Sequence, residues 1–125
     1  MGSVRYAELH CRSNFSFLQG ASHPEQLVEQ AVALELDALA LTDRNGLYGI
    51  VRFAQTARAL ALPTVFGAEL QCSVGEAMGD IVVIARNTRG YAHLSSAISA
   101  GQLAGSKEQP VFGIEQLADF SIGDW

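Results

Sequence analysis

Short apolar runs alternate along this chain with segments in which apolar side chains recur every three or four positions. Residues 6–11 form the first run, 37–42 (DALALT) the second, 64–70 the third and 79–85 (GDIVVIA) the fourth. Runs of this length, bounded by turn residues, predict strands. Between them Leu27, Val28, Ala31 and Leu34 keep helical spacing, and so do Leu47, Ile50, Val51, Ala54, Ala57 and Ala61. A third stripe holds Tyr91, Leu94, Ala97 and Ile98, and residues 113–120 suit a last short helix. Ser22-His23-Pro24-Glu25 reads as a capping box in which the Ser22 hydroxyl accepts a free amide and Glu25 reaches back. Asp43-Arg44-Asn45-Gly46 breaks the second strand. Pro63 ends the second helix, and Asn87 or Thr88 caps the third.

Strands alternating with helices imply an α/β fold with parallel strands and right-handed crossovers. Two closures fit the pattern, an open doubly wound sheet or a barrel. Loops 74–78 and 104–110 are the expected flexible points. Residues 121–125 read as a turn leading into another strand. A closed βα barrel takes about 250 residues, so residues 1–125 are expected to be a fragment of a larger domain, holding its first three or four βα units.

Composition narrows the function. The 125 residues include 8 Lys and Arg against 13 Asp and Glu, a net charge of −5. Hydrophobic residues make up 49% and charged residues 17%, below the roughly 25% of ordinary soluble domains. Disorder is excluded by that balance. Nucleic-acid binding through bulk positive charge is disfavoured. Cys11 and Cys72 alone cannot build a disulfide framework or a four-cysteine zinc site. The first ten residues lack the apolar core of a secretory signal, no apolar stretch is long enough to span a bilayer, and Tyr6 does not fit a myristoylation motif. A cytoplasmic location, with no membrane partner, is the expectation.

In α/β folds functional groups gather at the C-terminal ends of strands. Those ends carry His10, Cys11 and Arg12, then Asp43 and Arg44, then Glu69. Converging His, Asp and Glu would suit a metal site or acid–base chemistry, and equally simple solvated strand ends. His23 is assigned to its local turn and His93 to the surface or core edge. Arg52 and Arg58 fit a solvated helix face, and Gly46, Gly49 and Gly67 fit turns and close packing. No Walker or dinucleotide fingerprint is present.

Four runs, AELHCRSNFSFLQGASHPEQLVEQA, ALALTDRNGLYGIVRFAQTARAL, TVFGAEL and IARNTRGYAHLS, resemble the N-terminal PHP (polymerase and histidinol phosphatase) domain of bacterial family C DNA polymerases, closest to the error-prone branch related to the polymerase III alpha subunit. They cover most of residues 6–96. The resemblance implies a distorted barrel of seven βα units, of which this chain holds the first half, with a polymerase body further on. The family's His-x-His motif appears here as His10 with Arg12 in the second position. Its Asp-His motif appears as Asp43 with Arg44, and its glutamate after the third strand matches Glu69. The family's remaining ligands have no counterpart in this chain.

Histidine offers a metal a neutral nitrogen lone pair, whereas arginine stays protonated and only donates. Strand alternation puts positions 10 and 12 on one side and Cys11 on the other, in packing. Arg12 and Arg44 can therefore replace metal charge by pairing with Asp43 and Glu69, or they can grip a phosphate. The leading reading is a non-catalytic structural and interaction module of an error-prone DNA polymerase with remnant ligand positions His10, Asp43 and Glu69. It carries no cofactor, its partner is the rest of the polymerase chain, and replication or translesion accessory proteins are further possible partners. DNA is reached only through the whole polymerase. The alternative is a PHP phosphoesterase using His10, Asp43 and Glu69 to hold zinc or manganese. A third reading is a small free-standing protein whose unpaired strand edges promote association.

Overall fold

The computed structural model describes residues 4–16, 19–106 and 109–125. Its elements run β1 (Ala7–Cys11), α1 (Pro24–Ala33), β2 (Ala38–Arg44), α2 (Ile50–Ala59), β3 (Thr64–Val74), β4 (Ala77–Ile84), α3 (Thr88–Ala104), β5 (Phe112–Gly113) and α4 (Ile114–Ser121). The strands form one mixed sheet in the order β1-β2-β3-β4, and β5 also pairs with β3. β1, β2 and β3 are parallel, as the alternation of strands and helices requires. Beyond Glu69 the edge of β3 left free by β2 pairs with β5 through Cys72 and Ser73.

β4 departs from the all-parallel expectation. It runs antiparallel to β3, with Val74 paired to Ala77. Only Gly75 and Glu76 separate them, far too little chain for a crossover helix. Gly75 sits at φ +61°, the backbone that a glycine at the first position of a two-residue hairpin loop adopts without cost. The expected flexible loop 74–78 is thus a tight turn with strand on either side. The other one, 104–110, contains Lys107 and Glu108, which lie outside the described residues.

Register fixes which side chains share a face. Leu41 pairs with Phe66, and Asp43 with Ala68, so the even-numbered positions of β3 face the same way as Leu39, Leu41 and Asp43. All four helices pack on that face. Val28, Ala31, Leu39, Leu41, Ile50, Phe53 and Ala57 form one buried cluster, with the half-buried Cys11 against it. Ala68, Leu70, Cys72, Val83, Leu94, Ala97, Ile98, Phe112 and Leu117 form the other. The opposite face carries Arg44, paired in register with Glu69.

The helix starts follow local chemistry. α1 begins one residue later than its expected box. Pro24 takes the first helical position, and the Gln26 side-chain oxygen Oε1 accepts the His23 backbone N–H at 2.8 Å. Glu25, freed from capping, pairs with Arg52 of α2 through two hydrogen bonds of 2.6 and 3.0 Å. α3 is capped as expected, the Asn87 side-chain oxygen accepting the Gly90 N–H at 2.8 Å. After α4 the chain turns, as residues 121–125 suggested. Ile122 and Gly123 take positive φ, and Asp124 and Trp125 fold back on the start of α3. Among the described residues no helix is long and apolar enough to cross a membrane.

Candidate functional site

Glu69 is the centre of a charged cluster on the face of the sheet away from the helices. Its side chain is 4% exposed. Arg12 Nη2 donates to both carboxylate oxygens, at 2.6 Å to Oε1 and 2.5 Å to Oε2. His10 Nε2 lies 3.0 Å from Oε1. Arg44 Nη1 stands 3.7 Å from Oε2 and 3.4 Å from Asp80 Oδ2 on β4. Positions 10 and 12 therefore do converge on Glu69, from the end of β1, while Arg44 reaches it from the neighbouring position of β2.

Asp43 does not join them. Adjacent residues of a strand point to opposite faces, and Arg44 already occupies the face shared with Glu69. The Asp43 carboxylate lies instead beneath the loop after β1. Oδ1 accepts the Ser13 backbone N–H at 2.6 Å and the Ser16 hydroxyl at 2.7 Å, and Oδ2 accepts the Ser13 hydroxyl at 2.6 Å. Ser16 Oγ in turn accepts the Arg44 backbone N–H at 2.9 Å. All three groups, Ser13, Ser16 and Asp43, are buried. The paired role expected for both carboxylates thus holds for Glu69, whereas Asp43 fastens a loop.

Burial alone would raise the pKa of Glu69, but the hydrogen bond and charge of Arg12, helped by His10, outweigh it and hold the carboxyl below its usual range. The group is a fixed anion surrounded by cations. That arrangement can neutralise charge and rigidify the ends of β1, β2 and β3 together. Among the described residues only His10 and Glu69 converge as potential metal donors, the Glu69 oxygens already accept from a guanidinium, and no group of three or more His, Cys, Asp and Glu side chains comes together. Nor does the cluster offer an open phosphate clamp, since Arg12 and Arg44 both have carboxylate partners.

Cys11 turns away from this face, as alternation requires. Burial, reinforced by the nearby charges of Glu8 and Asp43, pushes its thiol up to about 11, so it is protonated and unreactive at neutral pH. Three functional groupings were not visible in the sequence. The two serines that seat Asp43 are common loop residues. Asp80 enters the cluster only through the hairpin register that sets it beside Gln71. Asp124 accepts Arg89 Nε at 2.6 Å and Asn87 Nδ2 at 3.0 Å, with His93 Nδ1 3.8 Å away, an anchor that no local pattern announces.

A family model described as the PHP domain matches residues 8–122. This chain belongs to the PHP family. Error-prone DNA polymerase of Mycolicibacterium paratuberculosis is 47% identical across 98% of the PHP chain, which spans only 12% of that relative's length. Among solved structures, a candidate metal-dependent phosphoesterase of Bifidobacterium adolescentis superposes with a TM-score of 0.66 at 24% identity. It covers 82% of the PHP chain and 35% of its own. An amidohydrolase of Chromobacterium violaceum, solved with sulfate and no metal, gives 0.65 at 26% identity, covering 78% and 34%. The mixed sheet with helices on one face is accordingly part of a PHP-type barrel, and the sequence matches the N-terminal region of error-prone DNA polymerases.

Proposed function

We propose that residues 1–125 act as the N-terminal half of a PHP domain in an error-prone DNA polymerase, as a structural and interaction module that performs no chemistry itself. In this reading nucleotide addition, translesion synthesis and DNA contact belong to the rest of the polymerase, which is the module's main partner, and the location is cytoplasmic. The observation that carries it is the pairing of Arg12 with both oxygens of Glu69. A guanidinium placed where the family has a histidine ligand supplies permanently the positive charge that a cation would bring, and it needs no loading. His10, Asp43 and Glu69 are then remnant ligand positions, with Asp43 reassigned to holding the loop after β1.

The second reading, a phosphoesterase using zinc or manganese, draws support from the description of the Bifidobacterium neighbour. It requires Arg12 to leave Glu69 and Asp43 to abandon three hydrogen bonds. Metal counting separates the two. The purified chain is incubated with zinc and manganese, desalted and analysed for bound ions. The structural reading expects about zero ions per chain and a gain in zinc affinity when Arg12 and Arg44 are both changed to His. A tightly held ion that is lost in Glu69→Ala, together with phosphate-ester hydrolysis, would overturn it.

A further inference from the structure

The helical layer is built from two pairs, α1 against α2 and α3 against α4. The seam between the pairs opens as a cleft of about 730 Å³, walled by α2, the start of β3 and the chain from Ala85 to Tyr91. This volume lies within the range of small-molecule sites, about 300–1,000 Å³. The cleft shares no residue with the Glu69 cluster and lies on the other face of the sheet. Its walls are largely apolar, from Ile50, Val51 and Ala54 on α2 to the edge-packed rings of Phe66 and Tyr91, 6.0 Å apart.

The charge distribution around it is unusual for this chain. Of the seven arginines, Arg5, Arg12, Arg44, Arg52 and Arg89 each have a carboxylate partner. Arg58 and Arg86 have none among the described residues. The Arg58 side chain makes no hydrogen bond or ion pair to any described residue, and Arg86 donates from its side chain only to the Gly123 carbonyl, at 3.3 Å. Both line the cleft. In a chain with 13 acidic and 8 basic residues, the two arginines with no carboxylate partner among the described residues border the same apolar cavity. We propose that this cleft binds a small amphipathic organic anion. The apolar body, an acyl chain or single aromatic ring, packs on Phe66, Tyr91 and the α2 wall. A carboxylate or phosphate monoester meets Arg58 and Arg86, whose guanidinium groups suit either anion.

The test uses the 125-residue chain and the fluorescent probe anilinonaphthalene sulfonate, which combines an aromatic body with one anionic group. Saturable one-to-one binding is expected, weakened about tenfold in Arg58→Glu, where a like charge faces the ligand, and abolished in Ala54→Trp, which fills the cleft. Octanoate or octyl phosphate displaces the probe at lower concentration than neutral octanol does, and the stronger of the two identifies the preferred anion. Arg58 is exposed and unpaired, so its variant keeps the fold and decides the matter if Ala54→Trp does not fold. Probe binding unchanged in Arg58→Glu, or displacement by octanol as effective as by both anions, would overturn the proposal.

Discussion

Two opposing influences set the charge of Glu69, and their balance gives a pH signature. Its folded pKa lies below its unfolded value because Arg12 and His10 outweigh burial. Its stabilising contribution is therefore complete above the unfolded value, about 4.3, and fades as pH falls through the folded one. Replacing Glu69 with Gln leaves Arg12 and Arg44 facing an uncharged amide. A loss on the order of 2 kcal/mol at pH 7 is expected, read by urea unfolding, with the gap to wild type closing in acid. Cys11 gives a second residue-scale test. With its thiol held near 11, Cys11 in the native chain should react with Ellman's reagent at pH 8 far more slowly than the urea-unfolded chain does. The convergence of positions 10 and 12 was legible because Arg12 directly follows β1 and the period of two still relates it to His10. The separation of Asp43 from Glu69 was not, because it depends on the register between β2 and β3, where a slip of one residue exchanges the roles of Asp43 and Arg44.

At the scale of elements, the strands and helices were legible from their periods, and the errors lie at their joints. The box expected at Ser22 moved to His23 because Pro24 best fills the first helical position. The hairpin was missed although its signal was present, a Gly-x pair between two strand runs. The βα rhythm of the preceding units argued for a parallel strand instead. Gly75 carries that joint. Its added Cβ would meet nothing within 4 Å, so only the positive φ of +61° resists substitution. Gly75→Val should cost about 1–2 kcal/mol and Gly75→Asn distinctly less, measured by thermal unfolding. If both cost the same, the turn does not depend on the left-handed backbone.

For the whole molecule, the fold class followed from order and spacing, whereas the cleft between helix pairs and the fold-back of the chain end arise from contacts far apart in sequence. The fold-back is fastened by Asp124. Arg89 foremost, then Asn87, holds its carboxyl down to about 2. The stabilisation from Asp124 is thus present above its unfolded value of about 3.9 and disappears as pH falls toward 2. Asp124→Asn should lower stability at pH 7, and the difference from wild type should shrink below pH 4. Gly90→Ala should act similarly at all pH values, because a Cβ there would lie 2.2 Å from the Asp124 carbonyl oxygen. The residue beside Asp124 adds an optical consequence. Trp125 is the only tryptophan of the chain, half-buried, with its indole N–H donating to the Gly90 carbonyl at 2.9 Å. Its emission spectrum is consequently a built-in reporter of one latch rather than of the average core. A red shift that precedes the loss of helical circular dichroism on acidification would time the release of the chain end separately from the collapse of the sheet.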